Sequence, residues 1–217
     1  MSACTQQDAA AKLGVTQAYL SMVERGERPV SAELASRVAE MFEVAPTSLP
    51  LGVYEPGLRS EFDFKKALGS LGYPGFAYLH GPVKIHPAEL LMRAIDVDDL
   101  DSRVTEALPW VVASFPKLDW EWLQFNAKVH DRQNRLAFVT SLAAQVVMSR
   151  GNSPFADELS RRVSRLEKSR LAGEDTLCKE SMTRAERVWL RNRRTPLAAH
   201  WNLLADLTLE QVDYAPV

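Results

Sequence analysis

The chain is poor in cysteine: of its 217 residues only Cys4 and Cys178 carry a thiol. They are far apart in sequence and in no metal-ligand spacing, so two free thiols in a reducing compartment are expected. A chain of this length buries enough core to need neither disulfides nor a structural metal. No apolar run approaches the roughly 18 residues that a membrane-spanning helix requires, and the opening residues MSACTQQDAA lack the basic and apolar parts of a secretory leader. A cytoplasmic protein without a membrane partner is the expectation. A dominant sign of charge is also lacking, with 26 basic residues against 28 acidic. The sequence contains no glycine-rich phosphate loop and no nucleophile elbow. His80 and His86 are six apart in a Gly/Pro-rich stretch, His130 stands beside Asp131, and His200 lies in an apolar segment. No pair has zinc spacing. The run Asp96-Val97-Asp98-Asp99-Leu100-Asp101 lacks the glycine and closing glutamate of a calcium loop, and more simply opposes the dipole of a following helix. No catalytic residue, cofactor or metal is therefore expected, and the protein is read as a non-enzyme.

What is present is concentrated at the front. The run TQQDAAAKLGVTQAYLSMVERGERPVSAELASRVAEMFEV parses into three short helices. Thr5 with Asp8 three residues on makes a capping arrangement, and Gly14 supplies a left-handed stop after Leu13. Thr16 caps a second helix in which Tyr19, Leu20 and Val23 point to a core, leaving Gln17, Ala18, Ser21 and Met22 on other faces. Gly26 ends it. Pro29 forbids immediate resumption, Ser31 caps a third helix, and Leu34, Ala35, Val38, Met41 and Phe42 form its apolar stripe.

Two short helices around a glycine turn are the frame of a helix-turn-helix. The residues Thr5-Gln6, Leu13-Gly14-Val15-Thr16-Gln17, Leu20-Ser21 and Glu24-Arg25-Gly26-Glu27-Arg28-Pro29 resemble those of the Cro/cI-like (XRE-type) transcriptional regulators. The resemblance covers residues 5–50. Family members carry a further helix before the Thr-Gln pair, where this chain has MSAC. Three explanations stay open: the start lies upstream, another segment replaces the helix, or the DNA-binding fold is incomplete.

The resemblance implies roles for particular residues. Gln6 and Thr16, each opening a helix, hold phosphates and fix register. Gln17 stands at the family's principal base-reading position, where its amide can pair bidentately with adenine. Ala18, Ser21 and Met22 face the groove, with Arg25 and Arg28 placed for phosphate contacts. The bland alternative is that these are ordinary solvated side chains. Residues 1–50 hold four basic residues against six acidic ones. That is weak electrostatic footing for DNA, so two copies on two half-sites are expected rather than one.

Residues 51–60, LGVYEPGLRS, read as a linker, and 61–217 as a larger helical domain for dimerisation or partner binding. Phe76–Leu79 against Val83–His86 suggests a short hairpin. Asp119 is expected to cap one long helix burying Trp122, Phe125, Val129, Leu136, Val139, Ala143 and Val146. Ser153-Pro154 and Thr183 with Glu186 open further helices, and a last one carries Leu197, Trp201 and Leu204. The fold class is thus all-α, an N-terminal helix-turn-helix with its leading helix missing, joined to a larger helical domain. Between Glu89 and Phe125 eight acidic residues oppose three basic ones, and from Met148 to Thr195 twelve basic residues oppose seven acidic. These blocks either pair within or between subunits, or the basic one touches DNA or an acidic protein, or its arginines simply sit in water. The five tryptophans are expected in core or interface. The functional expectation is a dimeric, sequence-specific repressor of double-stranded DNA, either an autoregulating antitoxin with a cognate toxin or other partner protein, or a ligand-sensing regulator. A scaffold whose helix-turn-helix no longer binds DNA is the rival.

Overall fold

A computed structural model of the chain describes residues 5–42, 44–57, 62–79, 81 and 85–212. What precedes Thr5, including Cys4, lies outside the described residues, as do His80 and residues 82–84.

The front forms three helices, α1 (Gln6–Leu13), α2 (Gln17–Glu24) and α3 (Ala32–Met41). Each starts where a short hydroxyl side chain accepts the backbone N–H three residues on: Thr5 from Asp8, Thr16 from Tyr19, Ser31 from Leu34. Gly14 takes φ +66° and closes α1, a conformation that other residues adopt only under strain. The apolar stripes meet in a small core of Ala10, Leu13, Leu20 and Leu34, with Tyr19, Val23, Val38 and Met41 packed around it. Arg37 stitches the turn, its Nη1 donating to the Leu13 carbonyl at 2.6 Å. Phe42, expected on the α3 stripe, is instead exposed.

After a 3-10 turn at Pro46–Ser48 comes the helical body: α4 (Phe64–Ser70), α5 (Pro87–Asp96), α6 (Ser102–Ser114), α7 (Trp120–Val129), α8 (Gln133–Ser149), α9 (Ser153–Glu167), α10 (Arg184–Arg193), α11 (Pro196–His200) and α12 (Leu209–Val212). Its axis is α8, buried on every side from Gln133 to Thr140 and again at Leu142, Ala143, Val146 and Val147, as expected of a helix surrounded by others. α9 lies along it, and α5, α6, α7 and α12 also pack against it. α4 folds onto a 3-10 segment, Pro74–Leu79, so closely at Gly69 that a Cβ there would stand 2.5 Å from the Phe76 carbonyl. Two two-residue strands, β1 (Asp175–Thr176) and β2 (Leu203–Leu204), pair in parallel.

Three sequence expectations are corrected. Pro74–Leu79 is a 3-10 segment kinked at Phe76, not a hairpin strand, with Tyr73 packed against both Phe76 and Trp110; Val83 and Lys84 of the expected partner strand lie outside the described residues. The long helix is two: Asp131 adopts φ 56° and the Arg132 N–H turns back to the Ala127 carbonyl, so α8 starts in a new direction. Leu136, Val139, Ala143 and Val146 are buried as expected, whereas Phe125 and Val129 on α7 remain exposed. The last helix stops at His200. Asn202, at φ 54°, hands its side-chain amide to the Leu171 carbonyl, which frees Leu203 and Leu204 to pair as a strand.

Asn134 and Arg135, polar side chains inside the body, are tied to backbone, as burial demands. Asn134 donates to the carbonyls of Leu171 and Trp201 and accepts from the Leu171 N–H. Arg135 is 1% exposed; it bonds both carboxylate oxygens of Asp175, reaches Glu180, and donates to the Ile95 and Val97 carbonyls at the end of α5. Cys178 is a buried free thiol, and burial pushes its pKa up to about 12, so it stays protonated. Within the basic stretch Arg162 pairs with Glu158, Arg170 with Glu167, Arg187 with Glu180 and Arg191 with Glu174.

The front module is fastened to this body at two places. The buried His86 caps α5, its Nδ1 accepting the Ala88 N–H, while its Nε2–H donates to the Thr47 carbonyl at 3.1 Å. Further on, the Trp122 indole N–H donates to the Gly52 carbonyl at 2.9 Å, and the Tyr54 hydroxyl to Asp96 at 2.7 Å. Burial lowers the His86 pKa below its ordinary 6.5, outweighing the Thr47 carbonyl and the carboxylates of Asp119 and Glu89. The unfolded chain therefore binds a proton here that the folded one resists. The contribution of His86 to stability is intact above pH ~6.5 and falls as the solution is acidified below it. Urea denaturation at pH 7.5 and 5.5 is expected to show a larger acid loss for wild type than for His86→Gln; equal losses would remove His86 from this role.

Candidate nucleic-acid interface

The interface is built on the N-terminal end and outer side of α2. Thr16 spends its oxygen on the Tyr19 N–H and keeps its own O–H, leaving the amides of Gln17 and Ala18 open at the first turn. Gln17 and Ala18 are exposed, while Ser21 and Met22 are half-buried. Leu20 between them is buried, which fixes which side of α2 faces out.

A chain of side-chain hydrogen bonds holds Gln17, the position expected to read bases. Gln17 Nε2 donates to Gln6 Oε1 at 3.2 Å, and Gln6 Nε2 donates to Glu24 Oε2 at 2.5 Å. Gln6 at the start of α1 thus orients Gln17 at the start of α2, and Glu24 at the end of α2 orients Gln6. The Gln17 amide retains its carbonyl oxygen and one N–H, the acceptor and donor that adenine's N6 and N7 require. Glu24 was legible in the sequence as part of the motif but not as a support for Gln6, because that partner lies eighteen residues away.

The two arginines differ. Arg25 is engaged by Glu27, Nε to Oε1 at 3.0 Å and Nη2 to Oε2 at 3.2 Å. That pair is exposed and costs little to open. Arg28 is exposed and makes no ion pair among the described residues. The structure therefore brings Gln6, Thr16, Gln17, Ala18, Ser21 and Met22 onto α2 and the adjoining end of α1, with Arg25 and Arg28 in the turn that follows. Among the described residues no group of three or more His, Cys, Asp or Glu is placed to hold a metal ion, and no helix is long and apolar enough to cross a membrane.

Helices of this arrangement define a DNA-binding helix-turn-helix, and comparison with known families agrees: residues 4–49 match the family model described as helix-turn-helix. The matched segment is the Cro/cI-like (XRE-type) one, about a fifth of the chain. No curated protein and no solved structure matches the chain. The module is that of an XRE-type DNA-binding regulator.

Proposed function

We propose that the protein is a sequence-specific repressor of transcription that acts as a homodimer on two half-sites of double-stranded DNA and carries out no catalysis. The observation that carries this reading is the Gln17–Gln6–Glu24 chain. It pre-orients one amide on the outer side of α2, where base edges of the major groove would lie, and pre-orientation lowers the entropic cost of binding. Thr16, Arg25 and Arg28 position the phosphates around it. The module has fewer basic than acidic residues, four against six over 1–50, which makes binding by one copy weak and is why the reading is dimeric.

Gln17→Ala is expected to weaken binding to the protein's own promoter by about 1–3 kcal/mol and to relax base preference at one position in each half-site. Fluorescence anisotropy on a set of single-base operator variants measures both. Unchanged affinity and unchanged preference would take Gln17 out of the interface.

One observation favours a ligand-responsive form of the same function. A cavity of about 420 Å³ opens beside α6 and α10, with Leu177, Met182, Trp189, Leu190, Leu204 and Leu207 among its walls, a size that holds a small organic molecule. In the antitoxin form the body binds a protein instead, and co-purification with the product of the neighbouring reading frame is its test.

A further inference from the structure

Helix α7 is buried along one side, at Trp120, Leu123, Asn126 and Ala127, and bare along the other. Phe125 is 66% exposed and Val129 57%. On the segment bonded to Trp122 lies Val53, 91% exposed, between Gly52, whose carbonyl holds the Trp122 indole, and Tyr54, whose ring meets that of Trp122 edge-on. Isolated apolar side chains on a surface need no explanation, but this cluster sits on a rigid helix and is continuous with a half-buried tryptophan.

The charges around it decide what covers it. With about 100° of turn and 1.5 Å of rise per residue, Glu121 and Lys128 fall on one flank of Phe125 and Trp122 and Val129 on the other, the members of each pair lying roughly 5 Å to either side of it along the axis. Such a face is its own complement. A two-fold axis passing beside Phe125, perpendicular to the helix, lays a second α7 antiparallel on the first. Glu121 then faces Lys128 of the second copy, Trp122 packs on Val129 of the second copy, and Phe125 meets its own symmetry mate. Glu121 and Lys128 are both exposed, and neither makes an ion pair among the described residues.

We propose that the exposed face of α7 is the homodimer interface of this protein, formed by two copies crossing antiparallel at Phe125 with reciprocal Glu121–Lys128 pairs. The inference rests on the dimeric regulator reading, which requires two copies but does not say where they meet. It also places the two linkers, each bonded through Gly52 to Trp122, beside the symmetry axis.

Analytical ultracentrifugation of the full chain without DNA tests it. Wild type is expected to be a dimer, and Phe125→Asp to raise its dissociation constant by roughly thirtyfold or more, as loss of a central aromatic anchor does, with unchanged helical circular dichroism because the side chain is exposed in the single chain. E121K and K128E each place like charges across the axis and weaken self-association. An equimolar mixture of those two single variants forms heterodimers, and the double variant E121K/K128E recovers the homodimer. A monomeric wild type, or a dimer that survives F125D, overturns the proposal. So does a dimer weakened by the single charge reversals and restored neither by mixing nor by the double variant, the result expected if α7 instead contacts a different surface or a different protein. DNA binding is measured separately: a dimer without operator binding refutes the regulator and leaves the α7 interface standing, whereas an operator-binding monomer refutes the α7 interface and the dimeric form of the regulator and leaves its DNA recognition standing.

Discussion

Replacing Arg135 by alanine is expected to lower the free energy of unfolding by about 3 kcal/mol, the low end of the roughly 3–5 kcal/mol typical for breaking a buried ion pair. The side chain does three jobs from one position in α8. It neutralises Asp175, whose carboxyl is penalised by burial and held below its ordinary pKa by the guanidinium on both its oxygens. It caps the C-terminal end of α5 through the Ile95 and Val97 carbonyls. It reaches Glu180, which holds Arg187 in turn. The loss stays at the low end because Asp175 and Glu180 keep contact with water, and the more exposed Glu180 contributes little. Arg135→Lys keeps the charge but loses the fork, and is expected to fall between wild type and alanine. Chemical denaturation followed by tryptophan fluorescence reads all three proteins. An alanine variant within 1 kcal/mol of wild type would show that the network is incidental to stability.

Leu34→Ala is expected to abolish operator binding while leaving the body folded. Truncating a buried leucine costs about 2–5 kcal/mol, and among the described residues the fully buried part of the module's core beside it is Ala10, Leu13 and Leu20. A core so small has little stability in reserve. The five tryptophans all lie at position 110 or beyond, so their fluorescence reports the body alone. The variant should therefore show an unaltered tryptophan melting transition, reduced helical circular dichroism at 25 °C, and no operator binding. Retained binding would show that the module tolerates the truncation, and a tryptophan transition shifted along with the loss of helix would mean that the module and the body unfold as one unit.

The parts of the fold written in local chemistry were readable from the sequence. Thr5, Thr16, Ser31 and the Thr183–Glu186 capping box all start helices as their side chains suggest, and Asp101 caps α6 by accepting the Arg103 N–H. In α9 the cap is Asn152, one residue before the expected Ser153. The break between α7 and α8 was not readable, because apolar periodicity runs through it and only the left-handed Asp131 marks it. Nor did Gln133, Asn134 and Arg135 advertise themselves: three polar residues in a row read as surface, yet each is buried because distant segments supply its partners. The same holds for the interface. The helix-turn-helix positions were legible from the motif, whereas the support of Gln17 by Gln6 and Glu24 depends on how two helices meet.

The anchors at Thr47 and Gly52 are five residues apart, each carbonyl held by a side chain of the body. So short a span between fixed points is a bracket, not a leash. In the dimer proposed above, a recognition helix mounted on it would not swing out to find a misplaced half-site. Paired heads would then grip the duplex like the jaws of a caliper, choosing targets by the gap between two short words as strictly as by their spelling.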